Sequence, residues 1–152
     1  MANSQAMCTS FKQELLNGHH AFGTSVARGG TGADTFKLAL FLATATLGAS
    51  TTTYSTTGEL AASGNYTQGG VTLTNGAAPA SSGATAYWTP SANAQWTSFT
   101  SSGAFDAALL YNSTQSNKAV AVFTFSSQSV TSGTFTLTMP ANDASNALIR
   151  IA

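Results

Sequence analysis

Ionised side chains are scarce in this chain. Asp, Glu, Lys and Arg make up 7% of its 152 residues, against roughly a quarter of an average soluble domain. Five basic residues balance five acidic ones, so the formal net charge is zero. No basic run is present to neutralise phosphates, which leaves nucleic-acid binding without support. Neutrality also removes the long-range repulsion that keeps a free domain dispersed, so the faces of this protein are expected to be covered by neighbours in an assembly. A charge-poor, Ser/Thr-rich extracellular domain is the alternative that composition leaves open.

Long apolar runs are missing too. The longest, residues 36–45, is interrupted by Lys37 and Thr44 and falls far short of the roughly 20 residues that span a bilayer. No membrane partner is expected. The N-terminal residues include Asn3, Ser4, Gln5, Lys12 and Glu14 and hold no signal-peptide hydrophobic core, so synthesis in the cytoplasm without general secretory export is expected. Cys8 is the single cysteine. It excludes an intrachain disulfide and any cysteine-based zinc site, and fits folding in a reducing compartment.

Chemistry-bearing constellations are equally thin. His19 and His20 are adjacent, and adjacent residues do not face one site from a regular helix or strand. The acids Glu14, Asp34, Glu59, Asp106 and Asp143 stand singly. Gly29-Gly30-Thr31-Gly32 resembles a phosphate loop but lacks the Lys-Ser/Thr pair, and a strand pattern rather than a helix follows it. Asn65-Tyr66-Thr67 and Asn112-Ser113-Thr114 match the glycosylation pattern, which carries little information in a chain so rich in hydroxyls. No catalytic, cofactor-binding or metal-ligating residue is assigned, no cofactor is expected, and the chain reads as a non-enzyme.

What fills the sequence is Ser and Thr, about a quarter of the residues, with abundant Gly and Ala. Thr favours strands through its branched Cβ, while Ser and Gly supply turns. The hydrophobic pattern agrees. Phe36, Leu38, Leu40 and Leu42 recur with period two, with Phe41 on the opposite face. Strand patterns also cover Val71 and Leu73, residues 85–88, 95–99, 105–111 and 118–125, then Phe135, Leu137 and Met139, and finally residues 148–151. Asn75-Gly76 marks a turn, and residues 77–83 read as loop. Leu137 is expected to be buried deeply enough that Leu137→Asp destabilises severely.

One helix is expected near the N-terminus. Ser10 is its N-cap, Gln13 completes a capping box, Phe11, Leu15 and Leu16 form its apolar face, and Gly18 stops it. The expected fold class is all-β, a single-domain β-sandwich or jelly-roll-like unit of about eight strands with a short N-terminal helix. Residues 1–33 read as an N-terminal arm with helix and Gly-rich loop, and residues 34–152 as the β-sandwich domain. Trp88, Trp96, Tyr87 and Phe99 are expected in the core rather than in an aromatic binding patch.

Several residue runs point further. Ser10-Phe11-Lys12-Gln13-Glu14-Leu15-Leu16, followed by Gly18, His20 and Phe22, resembles the opening of a family of small virion-associated structural proteins of tailed bacteriophages. So do Asp34-Thr35-Phe36-Lys37 with Ala39-Leu40, Tyr66-Thr67 with Gly69-Gly70, and Leu73-Thr74. The likeness continues through Leu109 with Tyr111-Asn112, Asn117-Lys118-Ala119-Val120, Gly133 with Phe135, and Ile149-Arg150-Ile151. The chain departs from the family pattern in a longer Gly-rich insert between Phe22 and Asp34 and in the Ala/Ser-rich stretch 77–83.

The resemblance implies a capsid cement or decoration protein on the virion surface, with the major capsid protein and copies of itself as partners. A tail, collar or fibre component is the alternative, and a carbohydrate-binding or adhesive module the more distant one. The candidate interface residues are Phe11, Leu15, Leu16, His20, Phe22, Arg28 and Phe41. On this reading, removing the segment before Asp34 leaves the domain folded but weakens attachment.

Overall fold

The computed structural model describes residues 2–24 and 32–152. Among these, ten strands and one helix follow in the order β1 (Ala6–Met7), α1 (Thr9–Leu16), β2 (Phe36–Leu42), β3 (Val71–Thr72), β4 (Ala80–Ser82), β5 (Thr85–Trp88), β6 (Ala94–Phe99), β7 (Phe105–Asn112), β8 (Lys118–Gln128), β9 (Gly133–Leu137) and β10 (Ile149–Ile151). The architecture is all-β and sandwich-like. A five-stranded sheet ordered β1-β8-β7-β2-β3 is joined by a three-stranded sheet β10-β5-β4 and a two-stranded sheet β6-β9. Every pairing is antiparallel.

Strands β2 and β7 lie inside the large sheet, and their composition explains the placement. Phe36, Leu38, Ala39, Leu40 and Phe41 of β2 are buried, as are Ala107, Ala108, Leu109, Leu110 and Tyr111 of β7. A strand apolar on both faces is stable only when both faces are covered. The hairpin from β7 to β8 has the expected place, with Asn112 opposite Lys118. Ring contacts tie the large sheet to the smaller ones: Phe36 lies 5.6 Å from Trp88 and Phe105 lies 5.0 Å from Phe135.

The described N-terminal residues, 2–24, pack into this core. Residues β1 pair with Ala121 and Val122 of β8, and Cys8 and Phe11 are fully buried within the core cluster. Removing residues 2–24 therefore deletes core, so the expectation of a folded truncated domain is replaced by one of a destabilised chain. The helix also begins differently from the capping-box reading. Cys8 occupies the N-cap with no side-chain cap bond, because its N–H is held by the Val120 carbonyl at 3.0 Å and this strand pairing fixes where the helix starts.

Its buried face is Phe11 and Glu14 with Leu15 half-buried, while Leu16 is 91% exposed. At 3.6 residues per turn Leu16 sits about 140° around the helix from Phe11, too far to share its face. The C-terminal stop is as expected. Gly18 adopts φ +68°, and the Gly18 and His19 N–H groups donate to the Leu15 and Glu14 carbonyls, each at 3.0 Å, the Schellman arrangement that glycine favours.

Two further expectations need correction. Residues 77–83 are not wholly loop, because Ala80–Ser82 forms β4 and pairs with β5 around Gly83, whose φ is +58°. All three β4 residues are exposed, so no apolar alternation announces them. Leu137 is half-buried rather than deep in the core, and so is Phe135. The row of Thr134, Thr136 and Thr138 is exposed as the alternation implies.

Candidate assembly surface

The sequence-derived interface residues scatter when placed in the fold. Phe11 and Phe41 are fully buried, Phe41 being covered by the segment around Ala45 and Gly58. The His20 side chain has no exposed surface. Leu15 and Phe22 are half-buried against the core, and Phe22 stacks on Phe36 at 4.3 Å. Of the described members, Leu16 alone is well exposed; Arg28 lies outside the described residues. The correction has a simple cause: apolarity marks core and interface alike, and this small domain uses its large side chains internally.

A different region keeps apolar groups at the surface. Strands β8 and β9 meet along one seam of the sandwich, where Phe123, Phe125, Phe135, Leu137 and Met139 are only partly buried. Phe125 and Phe135 meet at 5.4 Å across the seam. Beside it, a cleft of about 490 Å³ runs between Met7, Phe123, Pro140 and Leu148. Arg150 is the one ionisable side chain lining the cleft, and its Nη1 already donates to the Ser145 carbonyl at 2.6 Å. The seam is missed by the sequence reading because its phenylalanines belong to strands whose alternation says only that they are strands. The available signal is the lack of any ionisable residue from 119 to 142.

Polar chemistry is concentrated in two buried networks. In the first, Glu14 accepts from Lys118 Nζ at 2.7 Å and from His20 Nε2 at 2.9 Å. His20 Nδ1 faces Asn112 Nδ2 at 3.1 Å, and the same amide donates to Asp34 at 2.8 Å. Asn112 Oδ1 accepts the Thr114 and Gln115 N–H groups, which fixes the amide orientation and makes His20 the neutral tautomer protonated at Nε2. Asp34 also accepts the Ala21 N–H at 2.8 Å. The network fastens α1 and the segment after it to β2, β7 and β8. Spacings of 14, 20, 34, 112 and 118 in the sequence give no hint of it.

Burial holds the His20 imidazole below its ordinary pKa, against the opposing pull of Glu14 and Asp34. For Glu14, burial raises the carboxyl pKa, but hydrogen bonds from Lys118 and His20 outweigh that and leave it lowered. Both shifts have the same sign for folding. The unfolded chain binds more protons than the folded one, so stability is complete above about pH 6.5 and falls with acidity, first as His20 protonates and then as Glu14 does below about pH 4.5. Urea denaturation at pH 7.5, 5.5 and 4 is expected to show this decline, and His20→Gln to remove its first stage. A denaturation midpoint independent of pH from 7.5 to 5.5 in the wild-type chain contradicts the assignment.

In the second network, Glu59 accepts from Tyr54 and Tyr66 hydroxyls at 2.6 and 2.8 Å and from the Gly69 N–H at 2.7 Å. Tyr111 donates to the Gly69 carbonyl at 2.8 Å and stacks on Tyr54 at 4.5 Å. Burial, reinforced by Glu59, holds Tyr54 and Tyr66 well above the usual phenol range and pushes Tyr111 up to about 12. These groups stay neutral and pin the 54–70 connection to β2 and β7. Burial likewise pushes the Cys8 thiol up to about 11, the opposite of a reactive thiolate.

No residue of either network lines the cleft beside the β8–β9 seam. Among the described residues no group of three or more His, Cys, Asp or Glu is placed to hold a metal ion, and no helix is long and apolar enough to cross a membrane. Comparison of the chain with family models, curated proteins and solved structures finds no match in any of the three.

Proposed function

We propose that this chain is a non-catalytic structural component of a tailed-phage particle, a cement or decoration protein that stabilises the shell of major capsid protein. The observation that carries the structural role is the β8–β9 seam: the edge strand β9 beside the stretch of β8 beyond its pairing with β1, with half-buried aromatic side chains and no ionisable residue over 24 positions, 119–142. Such a surface packs against a neighbour without desolvating ions, which are costly to bury. The particle assignment rests on the residue runs that resemble virion-associated proteins, including Ser10–Leu16 and Asn117–Val120.

Trp88, Trp96 and Phe99 are buried, so they offer no aromatic platform for a sugar, and this weakens the carbohydrate-binding alternative. Quantitative mass spectrometry of purified particles tests the proposal. Hundreds of copies per particle are expected; a handful moves the chain to the tail, collar or fibre, and absence from particles ends the proposal.

A further inference from the structure

Edge strands of natural sheets are blunted by charged side chains, proline, bulges or a covering element, because their free backbone groups otherwise pair with another chain. Strand β9 has little of this protection. Among the described residues it pairs with β6 on one side and is the last strand of its sheet. Its five residues, Gly133–Leu137, contain neither proline nor charge. The irregularity in the β6–β9 ladder places the extra residue on β6, where Ser98 takes a positive φ, and leaves β9 with an unbroken alternation.

We infer that β9 is a self-association edge, pairing antiparallel with β9 of a second copy to give a continuous β6-β9-β9-β6 sheet. This deepens the assembly reading by naming the partner of the same surface. The occupant is a second copy because two identical strands related by a twofold axis are complementary by symmetry. Thr134, Thr136 and Thr138 form an exposed row that meets the same row of the other copy, a favourable cross-strand combination. Phe135 and Leu137, half-buried in one copy, meet their counterparts on the inner face. Like-charge repulsion, the usual barrier to pairing a surface with itself, is absent because residues 119–142 carry no ionisable group.

Two five-residue strands alone bury less than the roughly 1,200 Å² of a standard interface. Phe123 and Phe125 of β8 widen the contact, since Phe125 already touches Phe135 across the seam. The free chain is therefore expected to form a weak, concentration-dependent dimer.

Sedimentation equilibrium of the full chain, with amide exchange followed at low and high concentration, tests this. Dimerisation with slowed exchange confined to alternate β9 amides is expected. Thr136→Lys places like charges near the twofold axis at an exposed position and should weaken association about tenfold or more with the melting temperature unchanged. Thr134→Lys serves in its place if that variant is unstable. A chain that stays monomeric, or a dimer whose β9 amides exchange at the monomer rate and that Thr136→Lys leaves intact, overturns the inference. Dimerisation through β9 by a chain absent from particles sinks the virion proposal and not this one, and a particle-bound chain without a β9 pair does the reverse.

Discussion

Phe105→Ala is expected to cost about 3–5 kcal/mol, the range for removing a large aromatic from a packed core. Phe105 opens β7 with no exposed surface and touches three rings on three other strands: Phe99 of β6 at 6.5 Å, Phe125 of β8 at 6.0 Å and Phe135 of β9 at 5.0 Å. With Phe125, which also meets Phe135, it joins the two-stranded sheet to the large one. Its loss leaves a void bordered by strands that are each hydrogen-bonded elsewhere, so the site cannot collapse fully to fill it. Domains are stable by only about 5–15 kcal/mol, and the variant should be near unfolding at ambient temperature. Urea denaturation measures the effect directly. A loss below about 1 kcal/mol would show that the β6–β9 pair is not anchored here.

Gly70→Ala should be comparably damaging for a backbone reason. Gly70 has φ +67°, and a Cβ there would stand 1.9 Å from the Leu38 carbonyl oxygen and 2.6 Å from Ala39 Cα. The obstacle is the main chain of β2, a central strand paired with β7 over seven positions, so the new methyl must push β3 away. Gly18 provides the control. Its φ is +68°, yet nothing lies within 4 Å of its added Cβ, so Gly18→Ala should carry only the left-handed strain of about 1–2 kcal/mol. Amide exchange should show Val71 and Leu73 released in Gly70→Ala and protected in Gly18→Ala. Equal stability losses in the two variants would contradict the close β3–β2 approach.

The parts of the fold that could be read from the sequence are those where a pattern has one physical solution. Alternating apolar residues on both faces of 36–42 and 105–111 require a covered central strand, and Gly18 after an apolar-periodic turn requires a stop. Strand β4 carries only Ala80, Ser81 and Ser82, whose pairing with β5 is a tertiary fact. The helix start depends on Cys8 being held by Val120, a contact 112 residues away in the chain. The latch of Glu14, His20, Asp34, Asn112 and Lys118 joins residues that look isolated because their partners are distant in sequence. Phe11 and Phe41 fall among the expected interface residues for a related reason: a phenylalanine reads the same whether it faces the core, as these two do, or a seam, as Phe123 and Phe125 do.

The most direct test of this account is hydroxyl-radical footprinting of Phe123, Phe125, Phe135 and Met139 in the dilute chain and in purified particles. Covered seams should lower modification at these four side chains severalfold in the particle while exposed Leu16 serves as an independent reporter of the helix surface. Equal modification of the four in both states would mean that this uncharged flank faces water in the finished assembly, and the account would be wrong.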